Sequence, residues 1–320
     1  MRKNLLHFVG CVALIFLCFG SSSNPIYLNY QDHANDLKTV AGEKQDKLYK
    51  QIMDRASLYE IKPIDAINDE VWKLTPGYNG LKINVSESYQ VMKRNGNQFN
   101  KELLAFEQIP PAIHMEDLDP APIYRGNPEK PMVSFIINVA WGNEYLPEML
   151  SILNQNHVKA TFFLEGRWAK NNPQLVKMIK EEGHEIGNHS YTHPKMENLS
   201  FQSNLKELKN TNDVIQSLTG DQVKWFAPPS GSFNKETIQA ADELGLFTIM
   251  WSVDTVDWQR PAPHVLIERV MNKVHNGAII LMHPTSSTVQ SLETLIMSIK
   301  NKRLAIGSLS VLFEEERILK

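Results

Sequence analysis

The chain has 320 residues, 42% of them hydrophobic and 22% charged, with a formal net charge of -3. That much apolar material with so little net charge excludes a disordered chain, and the composition also excludes collagen and coiled-coil architectures. A sequence pI near 6.4 provides no basic face for nonspecific nucleic-acid binding.

The first element is an export signal over residues 1–23. Arg2 and Lys3 form a basic start, Leu5 to Gly20 an apolar run broken only by His7, and Ser21 to Ser23 a small-residue exit. This order predicts an exported protein, either secreted or anchored on the extracellular side of the membrane by an uncleaved segment. Both cysteines, Cys11 and Cys18, fall inside the signal. Its removal leaves no disulfide partner and no thiolate metal ligand.

Residues 24–128 read as a small α+β accessory region. Leu48, Ile52 and Leu58 give helical periodicity between Lys44 and Ile61, Pro76-Gly77 marks a turn, and Gly80 to Val85 alternates as a strand does. Prolines at 110, 111, 120 and 122 predict an extended connector from Phe106 to Tyr124. From residue 129 to 320 the pattern alternates. Strands are expected at Val133–Val139, Ala160–Leu164, Glu185–Ile186, Lys224–Phe226, Phe247–Trp251, Ala278–Met282 and Leu309–Phe313. Helices are expected at Glu144–Leu153, Gln174–Glu182, Asn204–Leu218, Lys235–Leu244, Pro263–Asn272 and Ser291–Asn301. Repeated strand–helix pairs imply an α/β fold with a parallel sheet, open or closed into a barrel, whose site lies at the carboxyl ends of the strands.

Three clusters sit just after predicted strands. His189 and His193 are four positions apart, a spacing that lets both rings face one way on a helical turn and suits a divalent metal. Asp254 and Asp257 follow a hydrophobic strand, where a helix cap or a solvated turn is the plain alternative to chemistry. His283 follows a buried strand, as structural histidines also do. An aspartate held against it would support the protonated form that a general acid needs.

Taken together these stretches resemble the polysaccharide deacetylase family, the NodB homology domain. Gly183-His-Glu-Ile-Gly-Asn-His-Ser-Tyr-Thr-His-Pro194 is similar to its histidine motif, Val158 to Gly166 to its second strand, and Asp254-Thr-Val-Asp-Trp258 and Leu281-Met-His283 to its late motifs. The chain as a whole resembles the sporulation-associated deacetylase-like proteins of bacilli. The resemblance implies a deformed (β/α) barrel of about seven strands and removal of acetyl groups from cell-wall or spore-cortex glycan. It makes His189 and His193 metal ligands for zinc, with cobalt and nickel also admitted. It makes His283 the catalytic acid, Asp257 the residue orienting it, and Trp258 part of the substrate pocket.

The first and third motifs depart from the family. Asn138 stands where the family has its general base, Val139 where it has a metal-binding aspartate, and Ala227 where an arginine holds the base. An amide takes no proton at neutral pH and an isopropyl group has no lone pair, so metal retention is weakened. Loss of Asn138's charge and of the arginine agree, since an unpaired buried arginine would cost about 3–5 kcal/mol. Glu144, Glu185 and Asp254 are substitute bases by sequence position. Three readings follow: a divergent metal-dependent deacetylase, placed first; a glycan-binding pseudoenzyme of the envelope; and a structural envelope protein.

Overall fold

The computed structural model describes residues 46–319; the export-signal reading and both cysteines lie outside these residues. Four short strands precede the main sheet: β1 (Ile67–Asp69), β2 (Lys73–Thr75), β3 (Gly80–Ile83) and β4 (Phe106–Ile109). β1 and β2 pair antiparallel. The chain divides into two compact units, and the division is not a single cut near residue 128. One unit holds the described residues up to Ile61 together with Lys82–Glu107; the other holds Lys62–Leu81 and everything from Gln108 onward.

The smaller unit is built on two capped helices. Asp46 accepts from the backbone N–H of Leu48 at the start of Lys47–Arg55, and Asn84 accepts from Glu87 at the start of Val85–Arg94. Leu48, Tyr49, Ile52, Ile83, Tyr89 and Met92 form its core. The second helix had no counterpart among the sequence expectations. Its signals were present all the same: an Asn cap, then Val85, Ser88, Tyr89 and Met92 at helical spacing.

In the larger unit β5 (Met132–Val139), β6 (Thr161–Leu164), β7 (Glu185–Asn188), β8 (Trp225–Phe226), β9 (Phe247–Thr248), β10 (Val253–Asp254) and β11 (Ile279–Met282) form one parallel sheet. The order is β10-β11-β5-β6-β7-β8-β9, a curled half-barrel of the deformed (β/α) type. A further strand, β12 (Ala305–Gly307), pairs with Met132 to Ser134 at the start of β5. β5 is buried along all its residues and sets the logic of the sheet. Val133, Phe135, Ile137 and Val139 belong to a core shared with the helices Leu146–Gln155, Pro173–Glu181, Pro263–Met271 and Ser286–Asn301. Met132 and Ile136 belong to a second cluster with Phe163, Trp225, Ile249 and Leu281. The two-residue period of a strand therefore gives Asn138 the parity of the inner face and Val139 that of the helix-covered face.

One predicted strand is a helix. Leu309–Phe313 forms a short α-helix whose buried residues Leu309, Leu312 and Phe313 fall at i, i+3 and i+4. Five residues with four apolar ones satisfy either period, and the strand lies just upstream in β12. Phe106–Tyr124 is not extended throughout, since it contains β4 and a 3₁₀ turn at Met115–Asp117. After the last helix the chain is pinned as a strap. The Lys130 ammonium, buried to 2% exposure, donates to the carbonyls of Val311 and Glu314, and burial holds its pKa down to about 8. The Arg317 guanidinium lies 4.1 Å over the Tyr78 ring and donates to the Asn79 carbonyl, while the Ile318 N–H donates to the Tyr78 hydroxyl. Among the described residues no helix is long and apolar enough to cross a membrane.

Candidate active site

At the carboxyl ends of the strands lies a cleft of about 440 Å³. Asn138, Trp141, His189, His193, Asp254, Trp258 and His283 all line it, so the three sequence clusters converge on one site.

The acid side is tightly braced. Asp257 is fully buried and accepts from the His283 ring at 2.8 Å, from the His283 backbone N–H at 2.6 Å and from the Thr288 hydroxyl at 2.5 Å. With Nδ1–H donating to the carboxylate, Nε2 is the nitrogen left to the cleft. Val256, just before Asp257, has a left-handed backbone (φ 55°), an expensive conformation for a β-branched residue. It is held by Asp254, which accepts from the Val256 N–H, and by the flanking Thr255, whose hydroxyl donates to the Leu281 carbonyl. Trp141 lies parallel to the His283 ring, 5° between planes and 6.0 Å between centroids. Gly142 permits this approach: a Cβ there would fall 2.2 Å from the Pro284 carbonyl oxygen. Thr288, in the first turn of a helix beyond the motif, carried no sequence signal for this role.

The two histidines meet by a route other than the expected helical turn. Residues 189–193 form a loop in which Ser190 and His193 both have left-handed backbones (φ 60° and 56°). The rings nonetheless approach edge to face, 5.0 Å between centroids. Glu207, on the helix Phe201–Thr219, clamps the loop by accepting from the N–H groups of Tyr191 and Thr192 and from the Thr192 hydroxyl. Asn188 accepts from the Ser190 N–H. Neither support could be read from the spacing of the histidines. His189 is buried, donates through Nδ1 to the Ala227 carbonyl at 2.7 Å, and has its pKa pushed down to about 3 by desolvation, with His193 adding to the shift. Ala227 thus contributes its backbone, although its side chain offers nothing to the cleft.

The opposite side is bare. The Asn138 side-chain oxygen is buried and has no hydrogen-bond partner among the described residues. Val139 is fully buried among apolar side chains. Of the substitute bases, Glu185 lies at the amino end of β7 and is occupied by Thr161, Trp225 and Ser310. Glu144 is exposed and does not line the cleft. Only Asp254 remains. A second acid, Glu165, acts electrostatically on His193, but its oxygens cap the next helix by accepting from the Trp168 N–H and pair with Arg167. Among the described residues no group of three or more His, Cys, Asp or Glu side chains is placed to hold a metal. Catalytic zinc sites use three protein ligands and an open position. Two imidazoles beside a valine do not meet that requirement.

A family model described as polysaccharide deacetylase matches residues 125–249. The peptidoglycan-N-acetylmuramic acid deacetylase PdaA of Bacillus subtilis is 31% identical over 60% of this chain and 76% of its own length. The chain belongs to the polysaccharide deacetylase family. It is also 51% identical, over the whole of both chains, to the uncharacterised protein YlxY of Bacillus subtilis. Among solved structures, wild-type BA3943 of Bacillus anthracis, described as a CE4 family pseudoenzyme, superposes with a TM-score of 0.81. It is 51% identical and covers 86% of this chain and 97% of its own. A BA3943 mutant, 50% identical, is described as having restored enzymatic activity. The deacetylase fold and the description of a pseudoenzyme therefore occur together in a relative at half identity.

Proposed function

We propose that this chain is a glycan-binding member of the polysaccharide deacetylase family that has given up efficient deacetylation. The observation carrying this reading is the floor of the cleft, where a neutral amide and a buried valine stand at the positions of two family acids and no other carboxylate among the described residues completes a metal set. Losing a general base typically costs about 100- to 10,000-fold in rate. The cleft itself is intact, with tryptophans at 141, 251 and 258 suited to stacking on sugar rings. The ligand proposed is an amino-sugar glycan of the cell wall or spore cortex, and the export signal would put the protein outside the membrane. The braced Asp257–His283 pair favours a second reading, residual slow turnover.

The test measures acetate release from N-acetylglucosamine oligomers and peptidoglycan with and without zinc, beside oligomer binding by calorimetry. The expected outcome is binding without release in the natural chain, and zinc-dependent release once Asn138→Asp and Val139→Asp are introduced together. Zinc-dependent release by the natural chain, abolished in His283→Ala, would establish the second reading instead.

A further inference from the structure

An amino-sugar glycan occurs in two chemical states, N-acetylated and free-amine, and the cleft is not neutral between them. Among the described residues its lining contains no lysine and no arginine. Asp257 is matched by His283, which leaves Asp254 as the unmatched charge. One Asp254 oxygen accepts from the Val256 N–H, and the other has no partner among the described residues. His189 donates through Nδ1 to a carbonyl, so Nε2 presents a lone pair. The Asn138 amide oxygen, on a residue only 4% exposed, is buried and has no donor among the described residues. The donors on the lining are the His283 ring, whose charge Asp257 balances, and neutral groups: the Asn138 amide, the Ser230 hydroxyl and the indole N–H groups.

These groups form an acceptor-rich, negatively biased pocket between exposed aromatic faces, with Trp141 at 45% and Trp258 at 56% exposure. An acetamide brings one N–H and a carbonyl that seeks a strong donor or a cation. A protonated amine brings three donors, no acceptor and a positive charge that aromatic faces attract. In a deacetylase a divalent cation in this position would repel such an amine. With no metal set, the sign of the field is reversed.

We infer that the cleft recognises the free-amine, de-N-acetylated state of an amino-sugar glycan, and does so without a metal. The inference rests on the glycan-binding reading above and specifies its ligand. Recognition uses Asp254 and His189 as acceptors and Trp141 and Trp258 as stacking faces. The protein would then bind the product of deacetylation rather than its substrate, marking wall segments on which an active deacetylase has already worked.

The experiment is calorimetry of the natural chain against three hexasaccharides in EDTA, at a mildly acidic pH where the sugar amine is charged. The probes are the glucosamine hexamer, the N-acetylglucosamine hexamer and the glucose hexamer. The free-amine oligomer is expected to bind at least tenfold more tightly than the acetylated one. Asp254→Asn should remove most of that preference while leaving the thermal midpoint unchanged, and added salt should weaken it. Equal or tighter binding of the acetylated hexamer overturns the inference and leaves the glycan-binding reading standing. Failure to bind any hexamer overturns both. Binding of the free-amine hexamer that requires zinc, or that survives Asp254→Asn unchanged, also overturns it.

Discussion

The two sides of the cleft differ in how many partners each functional side chain has. On the acid side both Asp257 oxygens are taken, and His283 is fixed through its ring and its backbone. On the other side Asn138 holds its oxygen in a buried space with nothing to receive it, and Val139 has joined the core. A group bonded on every side resists substitution because each change strands several partners, whereas an unpartnered group can be replaced at little cost. The contrast is one of bracing: Asp257 is bonded from three directions, and the Asn138 oxygen has no partner among the described residues.

Substitutions that break this contrast should differ in size. The largest effect is expected at Asp257→Ala, which strands the Thr288 hydroxyl and the His283 N–H groups in a dry environment. It should lower unfolding stability by about 3–5 kcal/mol, read from urea midpoints. A loss below about 1 kcal/mol would mean the acid side is not braced as described. Next comes Glu207→Ala. Freeing three donors of the histidine loop should cost about 1–3 kcal/mol and raise hydrogen exchange at Tyr191 and Thr192. The smallest effect belongs to Asn138→Leu. Removing an unpaired buried amide should leave stability within about 1 kcal/mol of the natural chain, or raise it. A clear destabilisation there would show that the amide has a partner in solution and that the two sides are alike.

Much of this was legible from sequence because it depends on local pattern. β5 and β11 are apolar runs, and the site residues follow directly after strands. The two-residue strands β8, β9 and β10 are too short to have a period, so Phe247–Trp251 read as a full strand where β9 covers only Phe247–Thr248, and β10 had no counterpart among the sequence expectations. The histidine pair was found for a reason that proved incorrect. Four-residue spacing fits a helical turn, but the loop reaches the same proximity through two left-handed residues held by Glu207, far along the chain. Glu185 illustrates the converse: a carboxylate beside a motif in sequence can point to the opposite end of the sheet. Burial parity along β5, unlike the motif alone, shows why Val139 could be absorbed by the core.

The strap at the end of the chain also bears on how the protein is made. The Ile318 N–H bonds to Tyr78 across 240 residues, and the Leu309 N–H bonds to Thr161 across 148. β12, at Ala305–Gly307, completes the start of β5 at Met132 to Ser134. Until the residues of β12 and the strap have been synthesised, contacts that the earliest strands require are missing, and long-range pairings of this kind form slowly. The larger unit should finish folding only once residues 305–318 are in place, so a product truncated before them would remain open at Tyr78 and Lys130.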